Sequence, residues 1–476
     1  MLLFDDSPMS IVRGCDLSSW LPAWELEKHL VVGPLTGPGL GPCPSCVAAR
    51  LASNGHARLR ILDPASASNL VAEGILRLRE ENTPAGIAIS WDGKNWKRHV
   101  ALPLPSCACA GRRLAPTGLE MKSAIDPLFG IISAINTWTA AGLEPDQDAV
   151  LAIAKPCRLE TLGGLPSIID GAGFGLHPNA LNAATGEVLE RYCASFMPAG
   201  LPVCSARELG AEHLIPTNAS FAGEPIGAEQ PLRWTEGRRL IDGSLCWVQA
   251  SEVYFPYVCH DDEPRRSWGG SGGLAAGDSW QAAVVHATHE RLERDSFIRA
   301  WRFDGPRRAL NNPYIDRNDL RFIQIGSRFG IPVVTAFVEA DSPPYCTAGI
   351  AARATITEAM QVSACEALGA QALYRLCKDD AEPSLETRRS HALDLSLRSV
   401  REKWRASGPD IRGPAPPLDW DDLLLRIPDG VAVEVTTPDV RAIGVRVVRV
   451  VVPGCHGWEP IRGQSRLGGN PQPPPF

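Results

Sequence analysis

The sequence predicts a protein of mixed sheets and helices, α/β or α+β, on three observations. Apolar runs of strand length alternate with long helical stretches from about Ala115 onward. Charged residues make up 21% and hydrophobic ones 44%, the balance of a globular chain, which excludes a disordered or fibrous one. Gly (44) and Pro (41) exceed ordinary usage, yet together they stay below the roughly 25% that marks low-complexity chains, so loops are many and stiff. At 476 residues the chain should hold two or three domains, or one large core with an appendage.

Charge and cysteine content narrow the function classes. The net charge of −7 argues against a nucleic-acid binder, which needs a basic footprint. No window approaches the ~18 uninterrupted apolar residues of a membrane span, because Arg446 and Arg449 break the most apolar run. The N-terminus, MLLFDDSPMS, has neither a basic segment nor a long apolar one of the kind that directs export, and 14 cysteines are too few for a disulfide scaffold. The expectation is a cytoplasmic chain with reduced thiols.

Taken in order, residues 1–115 form a distinct region with a Gly/Pro-rich stretch from Gly33 to Pro44 and two tight cysteine pairs, Cys43/Cys46 and Cys107/Cys109. A C-x-x-C hairpin offers two thiolates to one metal, and a tetrahedral zinc needs a second pair from elsewhere. All-thiolate ligation makes such a site structural, since no position is left for water. The plain alternative is four buried, inert cysteines. From Ala115 on, strands are expected in Phe129–Ile135, Ala149–Ala154, Ile331–Val338, Val431–Thr437 and Ala442–Val452. Helices are expected over Pro178–Phe196, Ser279–Arg302, Ile356–Cys377 and Ser384–Trp404, with a loop at Ser407–Pro417 and a Pro/Gly tail at Gly463–Phe476.

Two of these helices carry the same acidic device. Glu187 and Glu190 share one face, on a stripe with Ala180, Ala183, Ala194 and Met197. Glu290 and Glu293 lie on a stripe with His286, Phe297 and Trp301, and each acid pair is followed at once by an arginine, Arg191 or Arg294. Carboxylates bordered by aromatic residues are costly to bury unless a cation neutralises them. One E-x-x-E-R alone reads as a solvated face with a local ion pair; two copies suit the hard oxygen donors that Mg²⁺ prefers, often with nucleotide phosphates. Before the second helix, Ser271 to Asp278 is a small-residue loop whose amides can approach an anion, although it matches neither a P-loop nor a dinucleotide fingerprint and a flexible turn has the same composition.

Several of these motifs in one order resemble the YcaO family of ATP-dependent enzymes that modify peptide-backbone amides. The series runs IDPLFGI (Ile125–Ile131), GAGFGLHPNALNAATGEVLERY, SGGLAAG leading into ATHERLERD, GIPVV (Gly330–Val334), and VVPG (Val451–Gly454) with SRLGG before a proline tail, so the resemblance covers roughly residues 116–476. It implies an α+β fold in which ATP lies between helices and Glu187, Glu190, Glu290 and Glu293 hold Mg²⁺ on its phosphates. Ser271, Asp278 and Arg294 would lie near the nucleotide, and Glu366 matches a further family acid. The chain departs from the family at Gln281-Ala282-Ala283, where many members carry an acid, and at Ala183, where a Ser is common.

The tail, Pro471-Gln-Pro473-Pro-Pro475-Phe476, contains the P-x-P-x-P ending of azoline-forming members. Prolines stiffen an extended chain end, so the terminal carboxylate can be delivered to a pocket as an acid/base group; Phe476 shifts that carboxylate by one residue. A disordered tail, or a polyproline ligand for another domain, is the alternative. The stretch from Gly33 to Cys46 resembles the ThiF-like domain of azoline-forming systems, which implies a zinc-bearing remnant over 1–115 and a catalytic domain over 116–476. About 110 residues leave no room for a complete leader-binding winged helix, so a separate leader-binding ThiF-like/winged-helix partner is expected, in a homodimer or hetero-complex, with an FMN-dependent dehydrogenase as a further partner.

The activity the resemblance implies is cyclodehydration of Cys, Ser or Thr in a ribosomally made precursor peptide. His177, His286 and His289 are base candidates by residue type. Thioamide or amidine formation, and a non-catalytic docking scaffold, are the alternatives.

Overall fold

The computed structural model describes residues 21–455 except 27–28, 36–40, 57–59, 62–68, 81–85, 112–117, 144–147, 165–170, 211–228, 259–262, 264–269, 304, 343, 377–410, 412 and 414. The chain divides into two compact units. The first comprises Met1–Asn136, Ala154–Asp170 and Thr436–Arg446; the second comprises Thr137–Ile153, Gly171–Val435 and Val447–Phe476.

In the first unit, β1 (Ala23–Glu25), β2 (Leu30–Val32), β3 (Arg60–Ile61), β4 (Ile87–Trp91) and β5 (Trp96–Val100) form a sheet in the order β3-β1-β2-β4-β5, antiparallel throughout. Helix α1 (Pro44–Ser53) opens with Cys43 as its N-cap and proline at the first position, where a missing N–H is harmless. Val47, Leu51 and Ala48 of α1 bury against Trp24, Val31 and Phe129. A second helix, α2 (Asn69–Glu80), completes the layer.

Two buried polar contacts lock this unit. Arg50 of α1 pairs with Asp439 of the short helix Pro438–Ala442, with both side chains fully buried, and also donates to the Pro103 carbonyl at 3.0 Å. Asp126 of the IDPLFGI motif closes its own turn, with Oδ1 accepting from the amides of Leu128 (2.8 Å) and Phe129 (2.9 Å). Its other oxygen lies 2.7 Å from His99 Nδ1, and His99 Nε2 lies 2.8 Å from the Ser90 hydroxyl. The Ser90 side chain is buried, so this chain of contacts fastens the motif to the sheet and offers no accessible nucleophile.

Three further sheets follow. β6 (Ile132–Ala141), β7 (Asp148–Pro156) and β8 (Gly171–Gly175) lie in the order β6-β7-β8, and α3 (Asn179–Ala194) packs on β8. β9 (Val203–Ser205), β10 (Pro231–Arg239), β11 (Leu245–Gln249), β12 (Leu274–Gly277), β17 (Val431–Glu434) and β18 (Arg446–Val451) form a six-stranded sheet, β11-β10-β17-β18-β12, with β9 beside β10. β13 (Arg307–Leu310), β14 (Leu320–Ile325), β15 (Val333–Glu339) and β16 (Cys346–Ala352) make an antiparallel meander. Helices α4 (Trp280–Phe303), α5 (Ile356–Leu376) and α6 (Trp420–Arg426) complete the described helices of eight residues or nearly so.

The helices that carry the acids lie unusually close to strands. A Cβ on Gly171 or Gly173 of β8 would come within 2.0 Å of the Ala184 or Ala180 carbonyl of α3, and one on Gly349 of β16 would meet the Ser363 carbonyl of α5 at 2.2 Å. Only glycine allows these approaches, which is the physical content of the GAGFG motif.

Three expected helices are present, at 179–194, 280–303 and 356–376, within two residues of the expected bounds. The run Ala442–Val452 is shorter as a strand than its apolar content suggests. Its front belongs to the helix Pro438–Ala442, and Gly444 turns the chain with φ +78° before β18 starts at Arg446. The expected helix Ser384–Trp404 and the tail with Pro471, Pro473, Pro475 and Phe476 lie outside the described residues.

Candidate active site and metal centre

The first unit brings both cysteine pairs together. Cys43 and Cys46 sit at the start of α1, and Cys107 and Cys109 arrive from the loop after β5. Cys43 Sγ lies 3.6 Å from Cys46 Sγ and 3.7 Å from Cys107 Sγ, and Cys46 Sγ lies 3.3 Å from Cys109 Sγ. A tetrahedral ion with metal–sulfur bonds of about 2.3 Å spaces its thiolates about 3.8 Å apart, close to these distances. The Leu104 amide donates to Cys46 Sγ at 3.2 Å, the kind of outer contact that orients a ligand. Hydrogen bonding among the four sulfurs pushes the thiols of Cys46 and Cys109 upward and those of Cys43 and Cys107 downward. The four sulfurs lie within 4.8 Å of one another, an arrangement that fits a metal ion, and both members of the C-x-C pair belong to the cluster.

The second unit assembles the acids by a different rule, in which a backbone amide of a neighbouring strand or loop holds one oxygen of each carboxylate. Glu187 Oε2 accepts from Ala172 of β8 at 2.6 Å, and Glu190 Oε1 accepts from Ala276 of β12 at 2.8 Å. Glu290 Oε2 accepts from Gly273 at 3.2 Å, Glu293 Oε2 from Ala352 at 3.3 Å, and Glu366 Oε2 from Ile350 at 3.0 Å. Arg294 stands between two of the second oxygens, 3.8 Å from Glu290 Oε1 and 3.7 Å from Glu293 Oε1. Arg191 pairs with Glu187 one turn along α3.

Burial and mutual repulsion disfavour the charged forms. Burial, reinforced by the charge of Glu290, holds Glu190 well above the usual carboxylate range, and burial raises Glu290 as well. Burial lifts Glu293 to about 8 against the opposing pull of Arg294. Glu366 is also raised, chiefly by the protein around it, although part of its side chain reaches solvent. Arg294 is raised because the charges of Glu293 and Glu290 outweigh its own burial.

Unlike the thiols, the described carboxylates do not gather as a set within 4.8 Å of one another. The acids of α3 and α4 nevertheless act on one another, Glu190 on Glu290 and Glu187, and Glu293 on Glu290. Mg²⁺, which keeps waters and is shared between one or two carboxylates and phosphate oxygens, needs no tighter carboxylate cage. The amide-held oxygens fix each acid, and arginines accompany the second oxygens of Glu187, Glu290 and Glu293.

Of the other expected residues, Ser271 turns the glycine loop, its carbonyl accepting from Leu274 at 2.9 Å, and Asp278 is exposed. Gln281 is exposed at the start of α4. Of the base candidates, His289 is held low, at about 4, by burial and then by Arg353 and His286, so it stays neutral at physiological pH.

Two arginines were not singled out by the motifs. Arg449 of β18 is buried, donating to the carbonyls of Glu252 (3.0 Å) and Gly270 (2.8 Å), so it fixes the start of the glycine loop, and its charge favours ionised Glu290. Arg353 follows β16 directly and bears on Glu293, Glu366 and His289. The sequence holds no local signal for either, since each joins the site only through strand pairing.

Comparison with known proteins places the chain in a family. The family model described as YcaO cyclodehydratase, ATP- and Mg²⁺-binding, matches residues 172–456. Among solved structures, the chain is similar to a heterocyclase in complex with substrate and cofactor, at 18% identity and TM-score 0.70, covering 95% of this chain and 74% of that one. It is similar to the heterocyclase TruD at 17% identity and TM-score 0.61, covering 95% and 71%. A third likeness is to the E. coli microcin synthetase McbBCD complex, at 13% identity and TM-score 0.51, covering 67% and 88%. At these identities the likenesses establish the fold. No curated protein matches the chain.

Proposed function

Since the chain belongs to the YcaO family, whose members bind ATP and Mg²⁺, we propose that it is an azoline-forming cyclodehydratase acting on a ribosomally made precursor peptide. The observation that carries this reading is the set of amide-pinned carboxylates around Arg294. Glu187, Glu190, Glu290 and Glu293 would hold Mg²⁺, which supplies charge neutralisation on the polyphosphate of ATP. A Cys thiol or a Ser/Thr hydroxyl of the peptide, giving up its proton, would add to the preceding backbone carbonyl, and the resulting alkoxide would take the γ-phosphoryl group of ATP with release of ADP. Loss of the amide N–H proton with expulsion of phosphate would then form the C=N bond of a thiazoline or oxazoline. Arg294 stabilises the charge that develops during transfer, and no enzyme nucleophile is needed.

The four cysteines are assigned as a structural zinc site, with 1–115 as a docking remnant for a leader-binding partner and 116–476 as the catalytic domain. The tail, with Pro471, Pro473, Pro475 and Phe476, is assigned to deliver the terminal carboxylate. An exposed Gln281 where relatives carry an acid favours a second reading, a docking scaffold without turnover.

The test is peptide-dependent ATP consumption with the precursor and partner present. Glu290→Ala should lower it by roughly 1,000-fold, and the product should have lost one water per ring. Absence of ATP binding by the wild type with its partner present would sink the enzyme reading. Loss of ATP use in the Glu290→Ala variant would exclude the scaffold, and exchange of a backbone oxygen for sulfur or nitrogen, with no new ring, would point to thioamide or amidine formation.

A further inference from the structure

Two of the cations on the acid cluster, Arg294 and Arg353, are committed differently. Arg294 lies between Glu290 and Glu293 and serves as their counter-charge. Arg353 makes no ion pair among the described residues; its one side-chain hydrogen bond there is from Nη1 to the Ala352 carbonyl at 2.7 Å. Its placement is nevertheless fixed. The Arg353 amide donates to the Pro332 carbonyl of the GIPVV motif at 3.1 Å, and the preceding amides of β16, at Ala352 and Ile350, hold Glu293 and Glu366. The side chain is partly exposed, so four of its five N–H donors remain for a ligand.

A guanidinium beside pinned carboxylates, without a carboxylate of its own, is arranged for an anion that arrives with its own cation. We propose that Arg353 is a nucleotide-contacting residue that grips the polyphosphate of ATP, leaving the adenosine part to other groups. This rests on the ATP-dependent reading above and extends it to a residue that no motif marks.

The test compares Arg353→Gln and Arg353→Lys with the wild type in the full chain, by calorimetric affinity for MgATP, MgADP and AMP, with the melting temperature as a folding check. Arg353→Gln should weaken MgATP by roughly 10- to 100-fold, MgADP by less, and AMP by no more than about 3-fold. Arg353→Lys should recover part of the MgATP affinity. Equal weakening of all three nucleotides, or a melting temperature lowered in both variants, would show a structural residue and overturn the proposal. So would wild-type MgATP affinity in Arg353→Gln. A wild type that binds none of the nucleotides overturns the ATP reading itself, an outcome distinct from a wild type that binds and a variant that does not change.

Discussion

The cysteine cluster and the acid cluster answer one problem, crowded ionisable groups, in opposite ways. In the first unit the four sulfurs converge, with neighbouring pairs 3.3–3.7 Å apart. In the second, each carboxylate is tied by a different strand or loop amide, and Arg294 is only loosely paired at 3.7–3.8 Å. Convergence encloses an ion and excludes substrate, whereas dispersal leaves oxygens that a cation–polyphosphate assembly can complete. On the function proposed above, the thiols serve stability and the acids serve exchange.

Removing a ligand atom from each cluster should separate those roles most strongly. Cys46→Ala should unfold the first unit, because a structural zinc site contributes on the order of 10 kcal/mol to folding in small metal-bound domains. Hydrogen exchange across α1 and β4 should then rise to unprotected rates, and the purified variant should lack stoichiometric zinc. Glu290→Ala should leave hydrogen exchange in its own helix near wild type. If Cys46→Ala stays protected, the contrast between the two clusters fails at its first term.

A smaller effect is expected where the first unit is held by charge. Arg50 and Asp439 are both fully buried, so Asp439→Ala strands a guanidinium and should cost about 3–5 kcal/mol. Denaturant unfolding followed by the near-ultraviolet signal of Trp24, which is buried in the same core, would measure it. A loss below about 1 kcal/mol would place the pair among ion pairs that contribute little, and would leave the proposed metal site as the main support of this unit.

The two clusters were also unequally legible. Cysteine spacing marked all four thiols, because C-x-x-C and C-x-C are local patterns, and helical spacing marked Glu187, Glu190, Glu290 and Glu293 for the same reason. What the residues alone did not carry were the amides of Ala172, Ala276, Gly273, Ala352 and Ile350. Every residue but proline has such a donor, so its use depends on which strand lies beside which helix. Asp439 is 389 positions from Arg50, and no periodicity spans that distance. The glycines of GAGFG were visible as a motif, but their cause, α3 pressed onto β8, needed the packing.

The smallest effect tests whether the acids await a cation. Burial raises Glu293 from its ordinary 4.5 to about 8, and Glu190, Glu290 and Glu366 move the same way. A carboxyl raised in the folded state binds a proton there that the unfolded chain has released, so its contribution is fully present below about 4.5 and is lost as pH rises through about 8. Protein dialysed free of Mg²⁺ should therefore lose stability in the second unit between about pH 6 and pH 8, on the order of 1 kcal/mol per pH unit. Carboxylates satisfied by salt bridges would give the opposite slope in acid and none in this window. Glu293→Gln, which cannot ionise, should flatten the profile, and MgATP should flatten it in the wild type by making the charged form the favourable one. Thermal unfolding across that range, with and without MgATP, measures each slope. A wild-type profile already flat without Mg²⁺ would mean that Arg294 alone neutralises the cluster, and the acids would then be as closed a site as the thiols.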